Sequence, residues 1–141
     1  MRKFKFFEHT ADVEFEAYGK DLEEAFANAS LAMFEVMTDT KKVKPKQKET
    51  VEIESEDLES LLYDYLEELL VLHELKNLVF SKFEVECIKK VKKGFKLKGY
   101  ACGEEFNINK HESRTVVKAV TYNRMFVKTN KRSVVRVVLD I

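Results

Sequence analysis

Leu22-Glu23-Glu24-Ala25-Phe26-Ala27-Asn28-Ala29-Ser30-Leu31-Ala32-Met33-Phe34-Glu35-Val36-Met37 is the stretch on which the fold turns. Leu22, Ala25, Phe26, Ala29, Met33, Val36 and Met37 recur at helical spacing, so one face is apolar. Asp21 is a natural cap, and Glu24 three residues on resembles a capping box. The helix should end near Thr38-Asp39-Thr40. A second helix is predicted by Leu58, Leu61, Leu62, Tyr65, Leu66, Leu69 and Leu72 on one stripe, with Glu59, Asp64, Glu67 and Glu68 opposite. Ser55 or Asp57 would cap it, and it should end near Lys76-Asn77.

Outward from the helices the period falls to two, the spacing of half-buried strands. Residues 2–8 place Phe4 and Phe6 on one side. Val13, Phe15 and Ala17 then alternate with Glu14, Glu16 and Tyr18. Residues 41–48, lysine-rich and holding Pro45, read as a loop before a strand with Val51 and Ile53 inward. Residues 79–91 turn at Lys92-Lys93-Gly94 into 95–101, a hairpin. Residues 104–109 should pair again, 115–122 form a β-branched and aromatic strand, and 126–128 with 134–139 make a final hairpin. No internal repeat interrupts this order. The expected fold is α+β: a single domain over residues 1–141, a largely antiparallel β-sheet with two amphipathic helices packed on it.

A chain of 141 residues is the size of one domain. With 45% hydrophobic and 35% charged residues, it is globular rather than disordered. The longest apolar candidate, 58–75, is broken by carboxylates and does not suit a bilayer. Met1-Arg2-Lys3-Phe4-Lys5 lacks the apolar run of a signal peptide. The expectation is a cytoplasmic protein with no membrane contact. Cys87 and Cys102 form no C-x-x-C pair and read as small buried hydrophobes. One glutamine, no tryptophan and abundant Lys and Glu fit a hyperthermophile. The net charge of +0 hides a polarity: residues 1–75 hold 9 Lys+Arg against 19 Asp+Glu, and residues 76–141 hold 16 against 6. Either the molecule has an acidic and a basic face, which would steer partners, or the halves mix and the field cancels.

Catalytic signatures do not emerge. There is no P-loop, no G-x-G-x-x-G and no G-x-S-x-G. His73-Glu74 begins like a zincin helix, but Asn77 stands at the second histidine position, so His73 reads as a helix-end residue. His111 reads as a surface residue. One constellation remains. His9-Thr10-Ala11-Asp12 interrupts two strands, and Leu139-Asp140-Ile141 follows a valine-rich run. Asp12, Asp140 and a terminal carboxylate on Ile141 would form an all-oxygen site for Ca²⁺ or Mg²⁺ rather than zinc. The residues alone favour the plainer description, a turn cap at Asp12 and a solvated end at Asp140.

The segment His9-Thr10-Ala11-Asp12-Val13, with Ala17-Tyr18-Gly19 and Leu22 to Ala29, resembles the opening signature of the archease family. Val117-Lys118-Ala119-Val120-Thr121-Tyr122 resembles its second signature, and Val138-Leu139-Asp140-Ile141 its third. The leucine-rich run from Leu61 to Leu70 matches as well, so the resemblance runs end to end. Asn123 departs from it, because many members carry histidine there; any role of that histidine is absent or altered here.

The resemblance implies an accessory protein of tRNA splicing. Such a protein assists the GTP-dependent RNA-splicing ligase by promoting its guanylyl-histidine intermediate and its turnover, and is not itself the ligase. It also implies a chaperone-like partnership with an RNA methyltransferase, and a divalent cation, Ca²⁺ or Mg²⁺, held at Asp12, Asp140 and Ile141. Lys118 would contact a phosphate or an acidic residue of the ligase, unless it is an ordinary outward strand lysine. Two other readings compete. A metal-dependent hydrolase would use Asp12 and Asp140 alone. An RNA-binding module would use Lys89, Lys90, Lys92, Lys93, Lys96 and Lys98 with Phe95 and Tyr100, and its binding to tRNA would be steeply salt-dependent.

Overall fold

A computed structural model describes residues 2–7 and 11–141. The elements run β1 (Phe4–Phe7), β2 (Asp12–Gly19), α1 (Leu22–Met37), a short 3-10 turn (Thr40–Lys42), β3 (Gln47–Ser55), α2 (Leu58–Lys76), β4 (Leu78–Val91), β5 (Gly94–Glu105), β6 (Ala119–Thr129) and β7 (Ser133–Asp140). The expected α+β class holds, and every strand pairing is antiparallel. The strands form two sheets rather than one, ordered β1-β2-β7-β6 and β3-β5-β4. Each helix touches both sheets: α1 lies against β2 and β4, and α2 against β6 and β3.

The two apolar stripes join one core with side chains of both sheets. Phe26, Ala29 and Met33 of α1 and Leu62, Tyr65, Leu66 and Leu69 of α2 are buried with Phe15, Phe80, Leu97 and Val137. The Tyr65 ring lies 6.2 Å from that of Phe26, and its hydroxyl stands 3.2 Å from Ser30 Oγ, the polar partner a buried phenol needs. Burial pushes the Tyr65 phenol well above its ordinary range.

The caps explain the helix bounds. Asp21 Oδ1 accepts from the Glu24 N–H at 2.9 Å, as expected. Glu24 reaches back one residue further than a capping box requires and accepts from the Lys20 N–H. The reciprocal box is instead found on α2, between Asp57 and Ser60. Asn77 closes α2 in the left-handed conformation at φ 55°, which asparagine tolerates.

Three strand expectations change. The loop at 41–48 is shorter, because the 3-10 turn takes its start and β3 begins at Gln47. β5 runs unbroken to Glu105, so 104–109 is not a further strand. Gly103 permits this close pairing: a Cβ there would stand 1.8 Å from the Val79 carbonyl. Residues 115–118 are not strand. The Arg114 and Thr115 N–H groups donate to the carbonyls of Met37 and Val36, two of the four that the end of a helix leaves without partners. β6 therefore starts at Ala119.

Cys87 and Cys102 are free thiols and only half-buried, not fully buried as expected. They lie on hairpin strands opposite Lys98 and Lys82. The charge-rich halves pair with each other: Lys76 with Glu49, Arg114 with Glu35, Lys96 with Glu52 and Arg136 with Glu16. No helix among the described residues is long and apolar enough to cross a membrane.

Candidate carboxylate site at the end of the four-stranded sheet

Hydrophobic alternation sets the register here. Phe15 and Ala17 of β2 and Val135, Val137 and Leu139 of β7 are all fully buried on the core face. A slip by one residue would expose that whole set. The register that buries them makes Asp12 the direct partner of Asp140. On the other flank of β7, Ala119 is also opposite Asp140, and the Lys118 N–H donates to the Asp140 carbonyl at 2.8 Å. Three segments far apart in sequence thus meet at one sheet end. The Lys118 and Asp140 residues are exposed, while Asp12 and Ile141 are half-buried.

Like charges directly opposite on paired strands repel. Oxygen donors on Asp12, Asp140 and the Ile141 end suit a hard divalent cation, which would relieve that repulsion. Among the described residues, no group of three or more His, Cys, Asp or Glu side chains gathers to hold a metal. A cation here would thus need main-chain or terminal oxygens beside the two aspartates. His9 lies outside the described residues.

Cationic side chains also reach this end of the sheet. Arg124 Nη2 lies 3.6 Å from Asp12 Oδ2, and Arg124 Nε donates to Glu14 Oε1 at 2.7 Å. Glu14 is only 5% exposed, although alternation marks it as an outward strand residue. Arg136 makes that burial tolerable: its Nε lies 3.4 Å from Glu14 Oε2, and its Nη2 2.5 Å from Glu16 Oε2. The Arg136 guanidinium lies over the Phe7 and Phe126 rings at 5.4 and 4.9 Å, a cation–π contact on each. Hydrogen bonding to Glu14, then the charges of Glu14 and Asp12, holds Arg124 firmly protonated.

Arg124 arrives through an irregularity in β6. Between the pairs Thr121–Val138 and Phe126–Arg136, β6 has Tyr122, Asn123, Arg124 and Met125 where β7 has Val137 alone. Arg124 takes φ 52° within this bulge. The Asn123 N–H donates to Thr121 Oγ1 at 3.3 Å, and Tyr122 stacks on Tyr63 of α2, rings 4.3 Å apart. Sequence periodicity does not reveal Arg124, Glu14 or Arg136 as neighbours, because the bulge shifts β6 out of a simple alternation.

Two further expectations resolve differently. His111 is not a surface residue: it is 3% exposed, because its ring bonds the carboxylate of Glu104. His73 is at the helix end as expected, with Nδ1 2.7 Å from the Leu78 carbonyl oxygen. On the lysine-rich hairpin, Tyr100 has the Lys48 and Lys82 ammonium groups at 4.2 and 5.9 Å from its ring centre, and Phe95 packs against the core. Both aromatics are thus engaged within the chain.

The fold and the meeting of the three signature segments define a small two-sheet α+β protein with a carboxylate-bearing sheet end. The model of the archease protein family (MTH1598/TM1083) matches residues 4–141, and the chain belongs to that family. It is 53% identical over 128 residues to the protein archease of Sulfurisphaera tokodaii, covering 91% of this chain and 90% of that one. It is 49% identical over 142 residues to the protein archease of Sulfolobus acidocaldarius, covering 100% of both. The solution structure of protein 1598 of Methanobacterium thermoautotrophicum superposes with a TM-score of 0.87 at 49% identity, covering 100% of both chains. The crystal structure of a Thermotoga maritima archease, described as a possible chaperone, shares the fold at TM-score 0.59 and 22% identity, covering 100% of this chain and 98% of that one.

Proposed function

We propose that this protein is an accessory factor of the GTP-dependent RNA-splicing ligase, promoting guanylylation of the ligase and its repeated turnover. It works in the cytoplasm and is not a catalyst itself. A divalent cation, Ca²⁺ or Mg²⁺, would be held by Asp12, Asp140 and Ile141. The observation that carries this reading is the register of β2, β7 and β6, in which Asp12, Asp140 and the residue after Lys118 are neighbours.

Attack of a histidine on a nucleotide α-phosphate requires orientation and neutralisation of phosphate charge. A bound divalent cation supplies such neutralisation. Asp12 and Asp140 would hold it from facing positions on β2 and β7. The exposed Lys118 ammonium reaches a phosphate oxygen or an acidic side chain of the ligase. By binding the guanylylation-competent ligase better than the resting one, the accessory factor shifts the population toward it.

Single-turnover guanylylation of the cognate ligase, with and without this protein, tests the reading. Faster guanylylation and many turnovers at substoichiometric protein are expected. Unchanged ligase rates across metals and nucleotides would overturn it. The second reading, an RNA-binding or chaperone-like module acting on an RNA-modifying enzyme such as a methyltransferase, is favoured in its RNA-binding form by the exposed Lys89, Lys90, Lys92 and Lys93 at the β4–β5 turn. It predicts salt-sensitive binding of bare tRNA.

A further inference from the structure

We propose that Arg124 is a tethered counter-ion of Asp12 that a divalent cation must displace, so that this arginine sets the cation affinity of the site. The inference rests on the cation reading above. It starts from the backbone. A left-handed φ at an arginine is strained and persists only where its surroundings over-determine it. Here four residues of β6 bulge out opposite Val137 alone, and bulges re-aim side chains. The result of this one aims the Arg124 guanidinium at two carboxylates of β2.

The two contacts are unequal. The Nε contact to Glu14 is short, 2.7 Å, and its acceptor is buried. The Nη2 contact to Asp12 is long, 3.6 Å, and Asp12 has a 30% exposed side chain. Releasing Asp12 therefore costs little, while Glu14 keeps the arginine tethered. Arg136 stands against the second oxygen of Glu14, so movement of Arg124 does not strand a buried carboxylate beside no cation. The Arg124 side chain is itself 49% exposed and has room to turn outward.

The electrostatic consequence follows. With no cation, the Arg124 charge stands beside Asp12 of the facing pair Asp12 and Asp140. A cation that chelates both carboxylates outcompetes the long Arg124 contact, whereas a monovalent ion gains too little to do so. Arg124 thus lowers affinity for a cation while offsetting part of the repulsion between the two carboxylates.

Calorimetric titration of Ca²⁺ and Mg²⁺ into wild type, Arg124→Ala and Arg124→Asn tests this, with melting curves in chelator and in saturating Ca²⁺. Asparagine keeps the left-handed backbone accessible, so it separates charge from fold. Both variants should bind Ca²⁺ about three- to tenfold tighter than wild type, as expected for removing one charge at that distance in a high-dielectric setting. Ca²⁺ should also raise their melting temperatures more than that of wild type. Arg124→Lys, which retains the charge, should stay nearer wild type. If wild type binds Ca²⁺ and both variants bind it equally or more weakly, the counter-ion role is overturned while the cation site stands. If no form binds either cation, the cation reading fails and this inference fails with it.

Discussion

His111 Nε2 lies 2.9 Å from Glu104 Oε2, while the Asn107 N–H donates to His111 Nδ1 at 2.9 Å. Because Nδ1 is an acceptor, the ring proton sits on Nε2 and is donated to the carboxylate. Glu104 also accepts from the Lys44 N–H at 2.8 Å and pairs with Lys110 at 3.1 Å. One buried carboxylate therefore ties the loop after β5 to the segment before β3.

That arrangement gives acid sensitivity with a definite sign. The Lys44 N–H first, and His111 next, hold the Glu104 carboxyl down at about 2 against an ordinary 4.5. A lowered pKa stabilises the fold fully above pH 4.5 and loses that contribution as pH falls from 4.5 toward 2. Melting temperatures across this window should fall more steeply for wild type than for Glu104→Gln. At pH 7 the variant should be less stable by about 1–3 kcal/mol, the cost of a disturbed buried hydrogen-bond set. Parallel acid curves for the two proteins would refute the assignment.

Phe26 and Leu66 are both fully buried in the core. Phe26→Ala should cost about 3–5 kcal/mol and Leu66→Ala about 2–5 kcal/mol in chemical denaturation. Losses below ~1 kcal/mol at both sites would mean that the helix stripes do not carry the core.

Asp12 and Asp140 are register partners, with the Cα spacing of about 4.5–5.5 Å that facing residues of antiparallel strands have. Asp12→Ala, Asp140→Ala and an extension after Ile141 should each weaken Ca²⁺ binding and reduce ligase activation, with little loss of stability in chelator. Identical calorimetric binding in wild type and the double alanine variant would end the cation site.

Lys118 contributes its backbone N–H to the sheet and leaves its residue exposed. Lys118→Ala should therefore melt within about 0.5 kcal/mol of wild type, as surface substitutions do, yet activate the ligase less. Full activation by that variant would make Lys118 an ordinary surface lysine.

Local chemistry decided much of this protein before any tertiary contact. The apolar spacing from Leu22 to Met37 and from Leu58 to Leu72, the caps at Asp21 and Asp57, and the turn at Lys92-Lys93-Gly94 were all legible, because helix stripes, caps and hairpin turns depend on residues a few positions apart. So were the signature segments around Asp12, Lys118 and Asp140. Pairing across distance was not legible. The division into two sheets rests on pairings between strands far apart in sequence, β2 with β7 and β3 with β5, and residues 115–118 left strand structure because the end of α1 offered carbonyls from 79 positions away in the case of Val36 and Thr115. His111 became buried only because Glu104 found it, and Arg124 met Asp12 and Glu14 only through a bulge in β6. Charged side chains carry no periodic mark of their partners; in this protein the hydrophobic register of β2 and β7 chose those partners for them.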